Sequence, residues 1–422
     1  MSSVVIAGNT SGTVTLNAPD VAGTTTLTLP TTNGTLVTTA SGQALTSPTI
    51  TGTATLNGVN MTPYTMKNRI INGTMVIDQR NAGASLTPTT DGQYTLDRFQ
   101  VYISQSSKFS VQQNAGSVTP PAGFNYYAGI TSLSAYTVGS SDYFCFVQNI
   151  EGYNIGDFAW GTASAKTITI SFWVRSSLTG TFGGSIRNGA ANYSYPFTYS
   201  ISSANTWEQK TVTIAGPTSG TWTTVNTSGL QLILGLGVGS TNSGTAGAWT
   251  GSSVLSATSA TSVVGTNGAT FYVTGVQLEV GSVASAFEWR PFTTELQLCQ
   301  RYFYKTFNQS TAVANNTAYQ GGIGVPGGLA FQTGAMRNFT IFPQPMRTIP
   351  TVTYYNTDIT TPRTNNVWLV YLAGGAGWVT ATATTSGEVS ELYVEPNIDK
   401  SGSFTIGYSY LLSGFLTASA EL

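Results

Sequence analysis

Thr167-Ile168-Thr169-Ile170-Ser171-Phe172-Trp173-Val174 reads as a β-strand, and it sets the class of fold. β-Branched Thr, Ile and Val suit a pleated surface, where methyl groups pack and threonine hydroxyls stay wet. Trp173, in mid-strand, is assigned to the core. Short runs of the same kind recur at 99–103, 210–214, 230–236 and 270–276, and turn signals such as Asn81-Ala82-Gly83 and Asp91-Gly92 punctuate the chain. Helix-length periodicity is nearly absent. The span 67–293 therefore predicts one β-sandwich, a jelly roll. Within it, 235–268 is rich in Gly, Ser, Thr and Asn and predicts a long surface excursion between strands.

Working outward, residues 1–66 hold no Trp, no Phe, a single tyrosine (Tyr64) and no cation. Thr13-Val14-Thr15-Leu16, Thr26-Leu27-Thr28-Leu29 and Thr53-Ala54-Thr55-Leu56 alternate with period two. Such a segment has too little apolar bulk for its own core, so it predicts strands intertwined with those of sister chains in a homotrimer. On the other side, Arg290-Pro291-Phe292 marks a boundary. The run 294–303 is the best helix candidate, with Thr294 as N-cap and with Leu296 and Cys299 on one face and Leu298 and Tyr302 on another. It predicts a short helical hinge over 294–305. The strand pattern then resumes, and 306–422 predicts a smaller C-terminal β-sandwich, a tip. The whole is all-β.

Composition narrows the chemistry. Charged residues make up 8% of the chain, against about 25% in an ordinary soluble domain. The net charge is -1, and histidine is absent. That absence removes Ser-His-Asp and Cys-His relays, HExxH zinc sites and imidazole switches. Dispersed basic residues give neither a nucleic-acid footprint nor a polybasic membrane patch. The longest apolar run, near Leu230 to Val238, is short and broken by glycines, so no nucleic acid and no membrane insertion are expected. Met1-Ser2-Ser3-Val4 has no signal-peptide character, which implies cytosolic synthesis. Cys145 and Cys299, both in apolar or aromatic company, are then expected to be buried free thiols.

Three further stretches carry a resemblance. They are Gly275-Val276-Gln277-Leu278-Glu279-Val280-Gly281, Phe287-Glu288-Trp289-Arg290-Pro291-Phe292, and Glu295-Leu296-Gln297-Leu298-Cys299-Gln300-Arg301-Tyr302-Phe303. Together they resemble the end of the carbohydrate-binding-module-like jelly roll of bacteriophage tail fibres, followed by its link to a tip domain. Asn68 to Gly73, Asp78-Gln79-Arg80 and Asp97-Arg98-Phe99 are similar to the start of that module. Met346-Arg347-Thr348-Ile349-Pro350-Thr351-Val352-Thr353 is similar to a phrase of fibre tips. The resemblance implies a homotrimeric virion appendage located in the tail. Its N-terminal segment would attach to other virion tail or baseplate proteins. It would adhere to host surface polysaccharide or lipopolysaccharide.

No catalytic residue is assigned. Asp78, Asp91, Asp97, Asp142, Glu151 and Asp157 are the acids of the first half of the jelly roll, and no motif pairs them for glycoside hydrolysis. Asp97-Arg98 reads as a local ion pair or turn cap, and Glu279 and Glu288 as partners of cations such as Arg80 or Arg290. No DxDxDG loop is present; no cofactor is expected, although a jelly roll of this kind allows a structural Ca2+. Sugar binding is the serious chemistry, because pyranose rings stack on aromatic faces while amides and hydroxyls fix their edges. The candidates chosen from the loop-like aromatics are Trp249, Trp222, Trp160, Tyr193 and Tyr195 in the jelly roll, and Tyr354, Trp368 and Trp378 in the tip. Trp249, inside a Gly/Ser/Thr loop, is the least core-like. A polysaccharide depolymerase tailspike and a purely structural head-decoration or adaptor fibre remain as alternatives. Against the first, no repeat of a β-helix period is found.

Overall fold

The computed structural model describes residues 3–7, 13–17, 55–56, 59–60, 66–317, 328–359, 367–372, 377–400 and 404–422. The chain forms two compact units, Met1–Thr55 and Leu56–Leu422. In the first, Ser3–Ala7 pairs antiparallel with Thr13–Asn17, Ser3 opposite Asn17. The alternating run 26–29 lies outside the described residues.

The larger sandwich of the second unit is built from ten strands: β1 (Phe99–Ile103), β2 (Phe109–Gln113), β3 (Ala128–Ser132), β4 (Tyr143–Glu151), β5 (Ile168–Ser176), β6 (Gly180–Asn188), β7 (Ser194–Ile201), β8 (Glu208–Ile214), β9 (Ser228–Val238) and β10 (Thr270–Val280). They form two five-stranded antiparallel sheets, ordered β7-β6-β9-β4-β1 and β8-β5-β10-β3-β2. Alternate side chains meet between the sheets: Phe144 and Phe146 from β4 and the even-numbered leucines of β9 from one, Ile168, Ile170, Phe172 and Val174 of β5 from the other. Each such side chain contributes about 1.5–3 kcal/mol by leaving water. This is the jelly-roll sandwich.

The alternation that buries Phe172 and Val174 turns Trp173 to the outer face of its sheet, where it is half-buried rather than in the core. The excursion after β9 does run over the surface, exposed at 245–248, 251–253 and 265–268, but part of it is packed. It folds back over the outer face of the first sheet, burying Leu255 against Cys145, Val147 and Ile233. Ser243–Gly244 pairs with Ser256–Ala257 inside it. The apolar residues on the outward positions of β4 and β9 supply the driving force, which loop composition alone does not reveal.

The predicted hinge is a packed joint. Helix α1 runs Phe292–Gln300 with Pro291, not Thr294, at its N-cap. Cys299 and Tyr302 pack on Ile71 and Ile77, with Leu296, Leu298 and Leu422 alongside. The Arg301 guanidinium grips Glu151 at 2.6 and 3.0 Å, and the Tyr302 hydroxyl donates to the same carboxylate. Asp97 and Arg98 do not pair. Asp97 accepts from the backbone and side chain of Gln79, while Arg98, stacked 3.5 Å over Tyr302, reaches Glu421. Arg80 also binds Glu421, at 3.0 Å, whereas Glu288 pairs with Arg290 and Glu279 faces Lys67.

Beyond the joint, β11 (Phe303–Lys305), β12 (Gly328–Gln332), β13 (Ala335–Arg337), β14 (Thr340–Ile341), β15 (Thr351–Tyr355), β16 (Leu369–Leu372), β17 (Gly377–Thr380), β18 (Ala383–Val389), β19 (Tyr393–Asp399), β20 (Ser409–Ser413) and β21 (Phe415–Ser419) build the smaller sandwich. One sheet is β11-β21-β15; the other runs β14-β19-β13-β12-β20-β16-β17, with β18 on β19. Met336, Trp368, Val394, Ile398 and Leu416 lie in its core. The outer face of the larger sheet carries exposed Leu329, Phe331, Tyr371, Trp378 and Leu411, with Tyr371 directly between Trp378 and Leu411.

Candidate functional site

Trp249, Trp222, Trp160, Tyr193 and Tyr195 converge on one place. They come from the excursion, the link between β8 and β9, the link between β4 and β5, and the start of β7. Trp160 is deepest, 6% exposed, with Trp222 edge-on at 4.6 Å and Trp249 edge-on at 5.4 Å. Trp249 is the centre. Trp222 meets it edge-on at 5.5 Å, Tyr193 stacks on it at 5.7 Å, and Tyr195 tilts against it at 5.2 Å. Trp222, Trp249, Tyr193 and Tyr195 all keep part of their surface in solvent.

Hydrogen bonds fix the rings. Each indole N–H donates to a main-chain carbonyl: Trp160 to Lys166 at 2.7 Å, Trp249 to Ala215 at 2.8 Å, Trp222 to Ser219 at 3.3 Å. The Tyr193 hydroxyl meets Ser219 Oγ at 2.8 Å. Gly220, between these partners, sits at φ +86°, and a Cβ there would press on the Tyr193 ring at 3.1 Å. Trp249 is held in place because its loop adds to the start of β7: Ser194 and Thr250 exchange both backbone hydrogen bonds, at 3.0 and 2.9 Å, and Ser194 Oγ donates to the Ser252 carbonyl.

Beside Trp249 lies a cleft of about 320 Å³, lined by hydroxyl-bearing Thr241, Ser243, Thr245, Thr250 and Ser252 among others, none of them charged. Beneath it, buried Arg187 is engaged by Gln231 at 2.7 Å and Ser253 at 2.8 Å. Between Asp157 and Glu279 the only acid is Glu208. Its hydrogen bond from Lys210 holds its carboxyl below the usual range, with the amides of Ser202 and Ser203 assisting.

The tip candidates divide. Trp368 is fully buried and donates to the Phe415 carbonyl, and Tyr354 packs edge-on against it, its hydroxyl on Ser386. Both are core residues. Their strands looked loop-like because polar residues flank them, yet the sheets close over both. Trp378 is 48% exposed, meets Tyr371 edge-on at 5.4 Å on the outer sheet face beside Leu411, and lines neither of the two jelly-roll clefts.

The six acids considered for catalysis are each engaged. Asp78 takes the amides of Asn81 and Gly83, Asp91 that of Ile103, and Asp157 the Arg69 guanidinium. Asp142 accepts from Ser104, Tyr136 and Gly139, which together hold its carboxyl low against the opposing effect of burial. Asp97 and Glu151 belong to the joint. Among the described residues no group of three or more Cys, Asp or Glu side chains is placed to hold a metal ion. Sequence reasoning missed the hydroxyl wall of the cleft, because Ser and Thr are everywhere in this chain. It also missed Trp289 and Phe292, which stood out only as part of a motif.

No family model matches the chain, and no curated protein does. Solved structures do. The enzymatically active domain of bacteriophage CBA120 tailspike protein 4 aligns at TM-score 0.27 and 13% identity, over 51% of this chain and 22% of that one. A carbohydrate-binding module of family 4 aligns at 0.25 and 17%, over 50% and 98%. A sugar-binding protein of Bacteroides thetaiotaomicron, so described only provisionally, aligns at 0.28 and 10%, over 51% and 100%. The jelly-roll architecture follows from the strand pairing alone.

Proposed function

We propose that the chain is a non-enzymatic bacteriophage tail-fibre protein that adheres to the host surface by binding a neutral glycan at the Trp249 cluster. The aromatic cluster carries this reading. A pyranose ring offers an apolar C–H face and a rim of hydroxyls. Trp249 and Trp222 offer ring surface already held in orientation, so little side-chain freedom is lost on binding. The adjoining cleft offers uncharged donors and acceptors for the rim. Among the described residues no pair of free carboxylates lines this surface, and glycoside hydrolysis by two acids would need one.

In this reading the chain works as a homotrimer. The exposed row of Trp378, Tyr371, Leu411 and Leu329 supports it: neighbouring copies would cover apolar surface that a soluble monomer rarely leaves bare. Residues 1–66 attach to other tail or baseplate proteins. A glycan array carrying neutral bacterial O-polysaccharides, neutral β-glucans and uronic-acid polymers tests the binding claim on the full chain. Binding to neutral members, lost in Trp249→Ala and without any fall in polymer viscosity, is expected. Undiminished binding by Trp249→Ala, preference for the acidic polymers, or depolymerisation contradicts it.

A further inference from the structure

A second aromatic cleft lies on the same sandwich, built from other elements. Its lining comes from residues 68–76, from Asn125 and Tyr126 ahead of β3, and from residues 287–295 after β10. Trp289 is 55% exposed and Phe292 50% exposed. Trp289 is nevertheless held. Its ring lies 4.8 Å from that of buried Phe124 and 5.1 Å from that of Phe287, and those two meet edge-on at 5.3 Å. The indole is a backed platform, with the rest of its surface free.

The charged groups at this cleft are already committed. Glu288 accepts the amides of Lys67 and Asn68 and pairs with Arg290. Arg290 also donates to the carbonyls of Asn68 and Ile70 and pairs with Glu295, which in turn accepts the Asn72 amide. Asn68 spends its side-chain amide on Val276, Ile70 and Leu278. What the cleft presents outward is therefore aromatic surface from Trp289, Phe292 and half-buried Tyr126, plus the exposed side chain of Asn125. An amide of that kind offers both donors and an acceptor.

Size decides the occupant. The cleft holds about 120 Å³. At about 30 Å³ per water in the liquid, that is room for about four waters, so the cleft seats part of one sugar ring laid on its open aromatic face and no more. It is too small for a helix or a folded partner. We propose that this cleft binds a single pyranose ring of a neutral glycan, as a subsite independent of the Trp249 cluster. The sugar's C–H face lies on Trp289 and Phe292, and Asn125 takes a hydroxyl edge. A glycan that engages both places on one chain gains avidity through effective concentration.

Saturation-transfer NMR on the full chain tests this, with methyl glycosides of glucose, galactose, mannose and N-acetylglucosamine as probes. Trp249→Ala protein is expected to keep saturating at least one probe. That residual signal is expected to fall at least fivefold when Trp289→Ala is added. Asn125→Ala, an exposed position with no packing role, is expected to raise the probe's Kd several-fold with the thermal transition unchanged, which covers the case in which Trp289→Ala misfolds. No signal in Trp249→Ala protein, or a signal that neither Trp289→Ala nor Asn125→Ala reduces, overturns the proposal. The two sites fail separately: loss of all binding in Trp249→Ala sinks this subsite alone, and loss of all binding in Trp289→Ala sinks the Trp249 site alone.

Discussion

Replacing Glu421 by Ala is expected to loosen the joint between the two sandwiches. The Arg98 side chain is 1% exposed, and its partner Glu421 7%. Removing one member of a buried pair costs about 3–5 kcal/mol, because the other charge is left uncompensated. Arg98 keeps its bond to the Asn149 carbonyl at 2.8 Å and its stacking on Tyr302, which favours the lower end, about 3 kcal/mol. The entropy of unfolding is about 2.1 cal/mol/K per residue. If the sandwiches melt together, that loss lowers Tm by about 4 °C; if the smaller one now melts alone, its transition moves by about 12 °C and separates. Differential scanning calorimetry distinguishes the two. Adding Arg98→Met, which removes the more deeply buried of the two cations left behind while Arg80 keeps Asp97 at 3.8 Å, is expected to restore part of the loss. A Tm within about 1 °C of wild type for Glu421→Ala, or a double variant worse than the sum of the singles, refutes the reasoning.

Trp368→Ala is expected to destabilise by about 3–5 kcal/mol in chemical denaturation while leaving jelly-roll sugar binding intact. Gly414→Val is expected to be at least as damaging, since a Cβ at Gly414 would lie 2.0 Å from the Trp368 ring. Burial pushes the Cys145 thiol up to about 12 and that of Cys299 well above its usual value. Thiol labelling of native protein is therefore expected to be slow and to reach both cysteines only after denaturation; rapid native labelling counts against the burial. Burial also lowers the Lys305 ammonium to about 8, with Asp97 and Asp78 opposing the change. From pH 8 upward the unfolded chain holds a proton that Lys305 in the folded one has lost, which stabilises as pH rises, whereas above about pH 9 the two buried thiols act in the opposite sense because only the unfolded chain ionises them. The expected outcome is therefore a difference: denaturant midpoints of wild type rise relative to those of Lys305→Met between about pH 8 and pH 9.5, and a difference that stays flat over this range excludes that residue.

The sandwich was legible because strands carry their own signature. The 167–174 run and those at 99–103, 210–214, 230–236 and 270–276 each fall on an observed strand that begins within two residues of them, while the other five strands of the sandwich, such as Tyr143–Glu151 and Gly180–Asn188, stood out by no such run. Joints leave no such signature. Arg98 reaches Glu421 across more than three hundred residues, and nothing local separates it from adjacent Asp97. Trp173 misled because a large aromatic suggests core, while its strand parity assigns it outward. Trp368 misled in the opposite sense, since only the closing of two sheets buries it. At the site, indoles in polar loops were visible as candidates one by one. Their convergence depends on Ser194 pairing with Thr250, a contact between segments whose spacing carries no pattern.

The central claim is that the Trp249 cluster binds a neutral glycan, and affinity electrophoresis through gels containing a neutral polysaccharide positive on the array tests it most directly. Losing the central ring removes stacking worth about 0.5–1.5 kcal/mol as well as the apolar area it covers, so Trp249→Ala is expected to weaken binding about tenfold or more. Trp378→Ala, on the far sandwich, is expected to migrate like wild type. Wild-type and Trp249→Ala protein retarded equally in the same gel contradict the account.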